Sequence, residues 1–256
     1  MIMPPYNYKS FYSDMYKALA NGDINLSRVD DAVERILKIK IELDLFDQLP
    51  NDSLKLETVG SQKHKELARR AVRESQVLLK NENSLIPITK NTSTILVAGS
   101  AAHNLGMQFG GWTVEWQGVD GNWLPGTTIL QGIQDMVNPN AKVEYNLEGN
   151  FIGQESTADI GIAIVGESPY AEGWGDKENP KLSEEDVMAI NNLRKISKKL
   201  IVILVSGRPL NIKEYAKNWD AIIAAWLPGS EGQGVADMLF GDYTFTGTLP
   251  VEWKID

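Results

Sequence analysis

Short apolar runs separated by amphipathic stretches dominate the chain from about residue 95 onward. The runs cover residues 95–98, 143–145, 160–165, 200–205 and 221–225. Stretches such as L-I-V-I-L-V are apolar at every position, which marks strands buried on both faces, as in a parallel sheet covered by helices. Between them the 3.6-residue period predicts helices over 128–136, 183–196, 212–217 and 231–240. Ser183 followed by Asp186 supplies a capping signal for the second of these. Strand and helix alternation of this kind predicts a three-layer α/β/α sandwich with a mostly parallel sheet. Upstream the pattern is different. Helices are expected at 11–20, at 27–43 with a Ser27/Asp30 cap, and at 64–80, where Leu67, Ala71, Val72 and Leu78 or Leu79 share a face. Residues 44–60, with Pro50 and many polar positions, read as a linker.

Ligands of open parallel sheets bind outside the carboxyl ends of the strands. Those ends read G-S-A-A-H-N, G-E-S-P-Y-A-E, S-G-R-P-L and W-L-P-G-S-E-G, so one edge collects loops rich in Gly, Ser and charge. The richest, G-E-S-P-Y-A-E-G-W-G-D over 166–176, holds three acids, Glu167, Glu172 and Asp176, among Tyr170 and Trp174. Carboxyl groups that transfer protons beside flat apolar rings are the equipment of sugar chemistry. A solvated acidic turn is the alternative. F-G-G-W-T-V-E-W-Q-G over 109–118 adds Trp112 and Trp116 beside a double glycine. These can serve as a sugar platform or cap the core.

Composition narrows the classes. A net charge of −9 with no Lys/Arg stripe excludes a nucleic-acid backbone as partner. With no cysteine and only His64 and His103, neither a disulfide framework nor an ordinary zinc site is expected. No apolar run spans a bilayer, and M-I-M-P-P-Y-N-Y does not read as a signal peptide. The segment 99–106 does not match G-x-G-x-x-G and no P-loop is present, so no nucleotide cofactor is expected. Ser206 lies outside any G-x-S-x-G, Arg208 reads as an ion-pair anchor for a loop, and Glu231 as a helix-start acid.

Taken together and in order, M-P-P-Y, R-V-D-D-A-V-E-R-I-L, A-V-R-E-S-Q-V-L-L-K-N, G-G-W-T-V-E-W-Q-G, G-E-S-P-Y-A-E-G-W-G-D, V-S-G-R-P-L and A-A-W-L-P-G-S-E-G-Q-G-V-A-D-M-L-F-G-D-Y-T-F-T-G-T-L-P resemble the C-terminal half of glycoside hydrolase family 3, in its exo-acting β-glucan glucohydrolase form. The resemblance implies a retaining mechanism in a pocket shared by two domains: a (β/α)8-type barrel with an aspartate nucleophile, and a sandwich that lends the acid/base glutamate. It assigns Glu172 as acid/base with Glu167 next, and Trp112, Tyr170 and Trp174 as substrate contacts. No cofactor or metal is implied. The implied partners are a β-glucoside or β-glucan oligosaccharide and a barrel domain, with no nucleic acid and no membrane.

By the same resemblance, residues 1–43 correspond to the end of the barrel, 44–62 to the linker and 63–256 to the sandwich. No stretch corresponds to the nucleophile. The chain is therefore expected to be inactive unless complemented, as a fragment or half of a split enzyme whose parent is periplasmic or secreted. A raised pKa is expected for the acid, from a neighbouring carboxylate and aromatic burial. Two departures touch the Trp112 loop: A-A-H-N at 101–104 stands where the family has H-A-D-N, and Phe109 stands where it has Cys. A non-catalytic carbohydrate-binding or protein-interaction module is the alternative.

Overall fold

A computed structural model describes residues 2–47, 58–151, 153 and 157–255. It divides into two compact units, 1–58 and 59–256. The first carries α1 (Tyr8–Asn21) and α2 (Leu26–Glu42), neither of which buries a side chain. α1 ends where Gly22 takes a left-handed conformation and its N–H closes onto the last turn. α2 starts one residue before the expected Ser27. Asn25 is its N-cap, without a side-chain capping bond, so Ser27 and Asp30 lie inside the helix and do not cap it. Most of the expected linker lies outside the described residues.

The second unit contains α3 (Gln62–Ser75), β1 (Val77–Asn81), β2 (Thr94–Ala98), α4 (Leu105–Phe109), α5 (Ile129–Met136), β3 (Lys142–Tyr145), β4 (Ala158–Gly166), α6 (Glu184–Ile196), β5 (Ser197–Val205), α7 (Lys213–Ala216), β6 (Ala221–Ala224) and α8 (Gln233–Phe240). Six strands form one sheet in the order β1-β6-β5-β4-β2-β3. All neighbours are parallel except β1, which runs antiparallel to β6. The expected three-layer α/β sandwich with a mostly parallel sheet is the observed fold.

The helix expected over 64–80 is a helix and a strand. α3 stops at Ser75, Gln76 is extended and fully buried, and its Nε2 donates to the carbonyls of Val72 and Gly234. Val77–Asn81 then pairs with β6, with a shift in register between Leu78 and Lys80. No Gly or Pro marks the break. An amide side chain ends the helix, and Leu78 and Leu79 mimic the helical period while serving opposite faces of the sheet.

Each face of the sheet has its own core. Ile95, Val97, Ile162, Ile164, Ile201 and Ile203 pack under α3, α5 and α8 through Val72, Ile133 and Leu239. Leu96, Val165, Leu200, Val202 and Leu204 pack under α6 and α7 through Ile190, Leu193 and Ala216. α6 is set by its N-cap, as expected: Ser183 Oγ accepts from the backbone N–H of Asp186. A clamp between α3 and α8 adds to the first core. Asp237, with its side chain 2% exposed, accepts from Arg69 at 2.7 and 2.5 Å and from Arg73 at 2.5 Å.

The strand order fixes where a ligand can sit. From β2 the chain passes outward to β3, then returns across β2 to β4 and proceeds to β5 and β6. The order therefore reverses between β2 and β4, and the loops leaving their carboxyl ends diverge there.

Candidate functional site

The two loops at this switch point, 99–128 and 167–182, are fastened together at their bases. Asp186, at the start of α6 and buried, accepts from the Ser100 N–H at 3.0 Å, the Ser100 hydroxyl at 2.9 Å and the Gly166 N–H at 3.3 Å. One carboxyl group thus ties the end of β2 to the end of β4. Burial pushes it above the ordinary carboxylate range despite these donors. Further out, Gln117 Oε1 accepts from the Ala171 N–H at 2.9 Å. Asn104 caps α4 and also holds the returning chain, its Oδ1 accepting from the N–H groups of Met107 and Gly121. The change to A-A-H-N therefore keeps the residue that shapes this loop; His103 is exposed, with its Nδ1 3.2 Å from Thr128 Oγ1.

Two glycines show how closely the loops meet. A Cβ on Gly111 would lie 2.1 Å from the Tyr170 carbonyl oxygen, and one on Gly175 would lie 2.2 Å from Tyr170 Cδ2. Tyr170 is accordingly a hub. Arg208 from the loop after β5 lies over its ring at 4.3 Å and also donates to the Gly175 carbonyl at 2.6 Å. Burial raises its pKa, and through these contacts Tyr170 supports the loop.

Glu167 and Glu172, five residues apart, have opposite environments. Glu167 is buried and accepts from Arg208 at 2.7 and 3.1 Å and from the Ser206 hydroxyl at 2.8 Å. Its oxygens are committed to the loop after β5, and Arg208 is the ion-pair anchor its context suggests. Glu172 is exposed and accepts from the Trp112 indole N–H at 3.1 Å. Its own backbone N–H lowers its pKa most, desolvation opposes this, and the indoles of Trp112 and Trp116 add to the lowering, so that the carboxyl is held below the ordinary range. The rise expected for an acid catalyst is therefore not present in this unit: the group is open to water and stabilised as a carboxylate.

Trp112 and Trp174 are 69% and 80% exposed, and Trp116 between them is 48% exposed. None of the three caps the core. Ring centroids are 6.4 Å apart for Trp112 and Trp116, and 6.5 Å for Trp116 and Trp174. Trp112 and Val114 have φ of +60° and +63°, a left-handed conformation that is costly for bulky or β-branched residues and that persists at ligand sites. The hairpin is held by the Trp112 N–H donating to the Trp116 carbonyl at 2.9 Å. Behind it a cleft of about 660 Å³ is lined by Ser100, Gln117, Glu167, Tyr170, Asp186 and Arg208 among others. Residue types alone did not single out Gln117, Asp186 or Ser206 as parts of this site. Gln117 lies in the Trp112 loop itself, whereas the strand order brings Asp186 and Ser206 beside it.

Among the described residues no group of His, Asp and Glu is placed to hold a metal ion, and no helix is long and apolar enough to cross a membrane.

Comparison with known proteins identifies this arrangement. The profile of the glycosyl hydrolase family 3 C-terminal domain matches residues 76–256. The chain is 31% identical over 266 residues to the lysosomal beta glucosidase of Dictyostelium discoideum, covering 95% of this chain and 32% of that protein. It is 29% identical over 283 residues to the periplasmic beta-glucosidase of Salmonella typhimurium, covering 95% of this chain and 36% of that protein. Among solved structures, the exo-1,3/1,4-beta-glucanase ExoP of a Pseudoalteromonas species superposes with a TM-score of 0.82 at 39% identity. The match covers 93% of this chain and 31% of that one. The chain thus spans about a third of the length of the curated relatives it matches. Loops built at the switch point of this sandwich, and the match of its sequence from β1 to the end, place the chain in glycosyl hydrolase family 3, as its C-terminal domain.

Proposed function

We propose that this chain carries the acid/base domain of a retaining, exo-acting β-glucosidase that removes glucose from the non-reducing ends of β-glucans or cello-oligosaccharides. The observation that carries the reading is the division of labour between the two glutamates. Glu167 is consumed by Arg208 and Ser206, whereas Glu172 is exposed and its side chain is bonded to the Trp112 indole.

In a retaining mechanism one carboxylate attacks the anomeric carbon while a carboxylic acid protonates the departing glycosidic oxygen. The acid, now a carboxylate, then takes a proton from the water that displaces the enzyme carboxylate and releases the sugar. Glu172 fits the second role. The nucleophile comes from a barrel domain, the partner this reading requires, and the two carboxyl groups must come within roughly 5–5.5 Å. An anionic nucleophile at that distance, with bound sugar excluding water, raises the pKa of an acid that the isolated unit holds low. The expected elevation is thus assigned to the assembled, occupied site. Trp112, hydrogen-bonded to Glu172, offers its ring to the sugar on the leaving-group side, and Trp174 adds a second exposed ring on the same loop as the acid. No cofactor takes part in this chemistry. On this reading the parent enzyme is periplasmic or secreted.

Mixing tests the proposal. The purified 256-residue chain should release no glucose from an aryl β-glucoside, and activity should appear when a family 3 barrel domain is added. Sustained turnover by the chain alone would overturn it.

A further inference from the structure

Three tryptophans form one continuous strip at the switch point, and a single sugar contact uses only the first. Trp112 meets the Glu172 carboxylate; Trp116 follows at 6.4 Å and Trp174 at a further 6.5 Å, each mostly or half exposed. We propose that Trp116 and Trp174 form an extended binding site for the leaving chain beyond its first sugar, so that the site prefers longer β-gluco-oligosaccharides to disaccharides. This rests on the assignment of Glu172 as the acid/base, because that assignment sets the order along the strip. The scissile oxygen lies at Glu172, the first leaving sugar at Trp112, and later sugars towards Trp174.

Several observations select a neutral sugar chain as the occupant. Exposed indoles this close together present a large apolar surface that water solvates poorly, and pyranose rings cover such surfaces with their C–H faces. The planes turn along the strip, by 53° between Trp112 and Trp116 and by 34° between Trp116 and Trp174. A flat polycyclic ligand cannot follow those turns, whereas a glycan can, because each linkage lets the next ring tilt. The exposed carboxylates Glu115, Glu172 and Asp176 beside the strip accept hydroxyl donors and repel a polyanion, with Lys177 the neighbouring cation. The strip is also built in place. A strained Trp112 backbone, the Trp112–Trp116 backbone bond and the packing of Gly111 and Gly175 on Tyr170 fix both loops before any ligand arrives.

The test uses the chain with ¹⁵N-labelled tryptophan and titrates it with cellobiose, cellotriose and cellotetraose while indole N–H resonances are followed. The Trp112 signal should respond to all three sugars, the Trp116 signal to the longer two and the Trp174 signal to cellotetraose. The apparent Kd should fall about fivefold for each added ring that finds an indole. Trp174→Ala should abolish the gain in affinity from cellotriose to cellotetraose, keep the gain from cellobiose to cellotriose, and leave the melting temperature unchanged. Trp174→Phe should keep part of the cellotetraose gain. A Trp174 signal unmoved by cellotetraose, a gain from cellotriose to cellotetraose that survives Trp174→Ala, or no response of any indole would each overturn the proposal. Because these titrations need no turnover, their failure leaves the complementation test of Glu172 standing, and the reverse holds too.

Discussion

Replacing Glu167 by Gln separates the two glutamates most sharply. The carboxylate is 5% exposed and faces an Arg208 side chain 22% exposed, across hydrogen bonds of 2.7 and 3.1 Å, with Ser206 Oγ at 2.8 Å. Glu167→Gln keeps the shape but removes the charge, and turns an N–H₂ group towards a guanidinium. Breaking a buried pair in this way costs about 3–5 kcal/mol. Here Arg208 retains the Gly175 carbonyl and the Tyr170 ring, and it reaches some solvent. A loss of about 2–3 kcal/mol is the discounted figure. With a urea m-value of about 2 kcal/mol/M, the unfolding midpoint should fall by about 1–1.5 M. Glu172→Gln, at an exposed position, should move it by less than about 0.3 M. Equilibrium urea unfolding of the two variants and the parent, followed by circular dichroism, makes the comparison. If Glu167→Gln left the midpoint in place, or Glu172→Gln lowered it as much, the division into anchor and free acid would be wrong.

Other consequences follow from the same geometry. Burial raises the Asp237 pKa, but hydrogen bonds from Arg69 and Arg73 outweigh it and the net value is lowered. Its stabilising contribution is therefore complete above the unfolded value near 4 and is lost as pH falls through the lower folded value. Asp237→Asn should cost about 3 kcal/mol at pH 7, and less as the pH is brought down towards 2, in urea unfolding at several pH values. Gly111→Ala drives a methyl group into the Tyr170 carbonyl; it should shift the indole resonances of Trp112 and Trp116 and destabilise the unit by about 1–3 kcal/mol. In the free chain the Trp112 indole N–H should titrate with the Glu172 carboxyl below the ordinary Glu range, and Glu172→Gln should abolish that titration in ¹⁵N NMR.

Much of this fold is legible in the sequence because the central strands are apolar at every position, which only a two-sided core explains. The antiparallel edge was not legible. Gln76 ends α3 through bonds to Val72 and to Gly234, which lies 158 residues away, and no local breaker announces it. The S-x-x-D pattern at Ser27 failed for a related reason, since the helix begins at Leu26, before its supposed cap. At the site, composition and loop chemistry point to 112, 167, 170, 172 and 174 as a group but do not divide their roles. The different surroundings of Glu167 and Glu172 depend on Arg208, 41 residues from Glu167 in sequence and adjacent only because β4 and β5 are neighbours. The same arginine lies over the Tyr170 ring.

The assignment of Glu172 is tested most directly by leaving-group dependence in the chain complemented with, or fused to, a family 3 barrel. Glu172→Gln should slow release from cellobiose by several orders of magnitude, since its poor leaving group needs a proton, yet retain rapid attack on a dinitrophenyl glucoside, which does not. Glu167→Gln, once corrected for folded fraction, should slow both substrates alike. Full activity of Glu172→Gln on cellobiose would contradict the account.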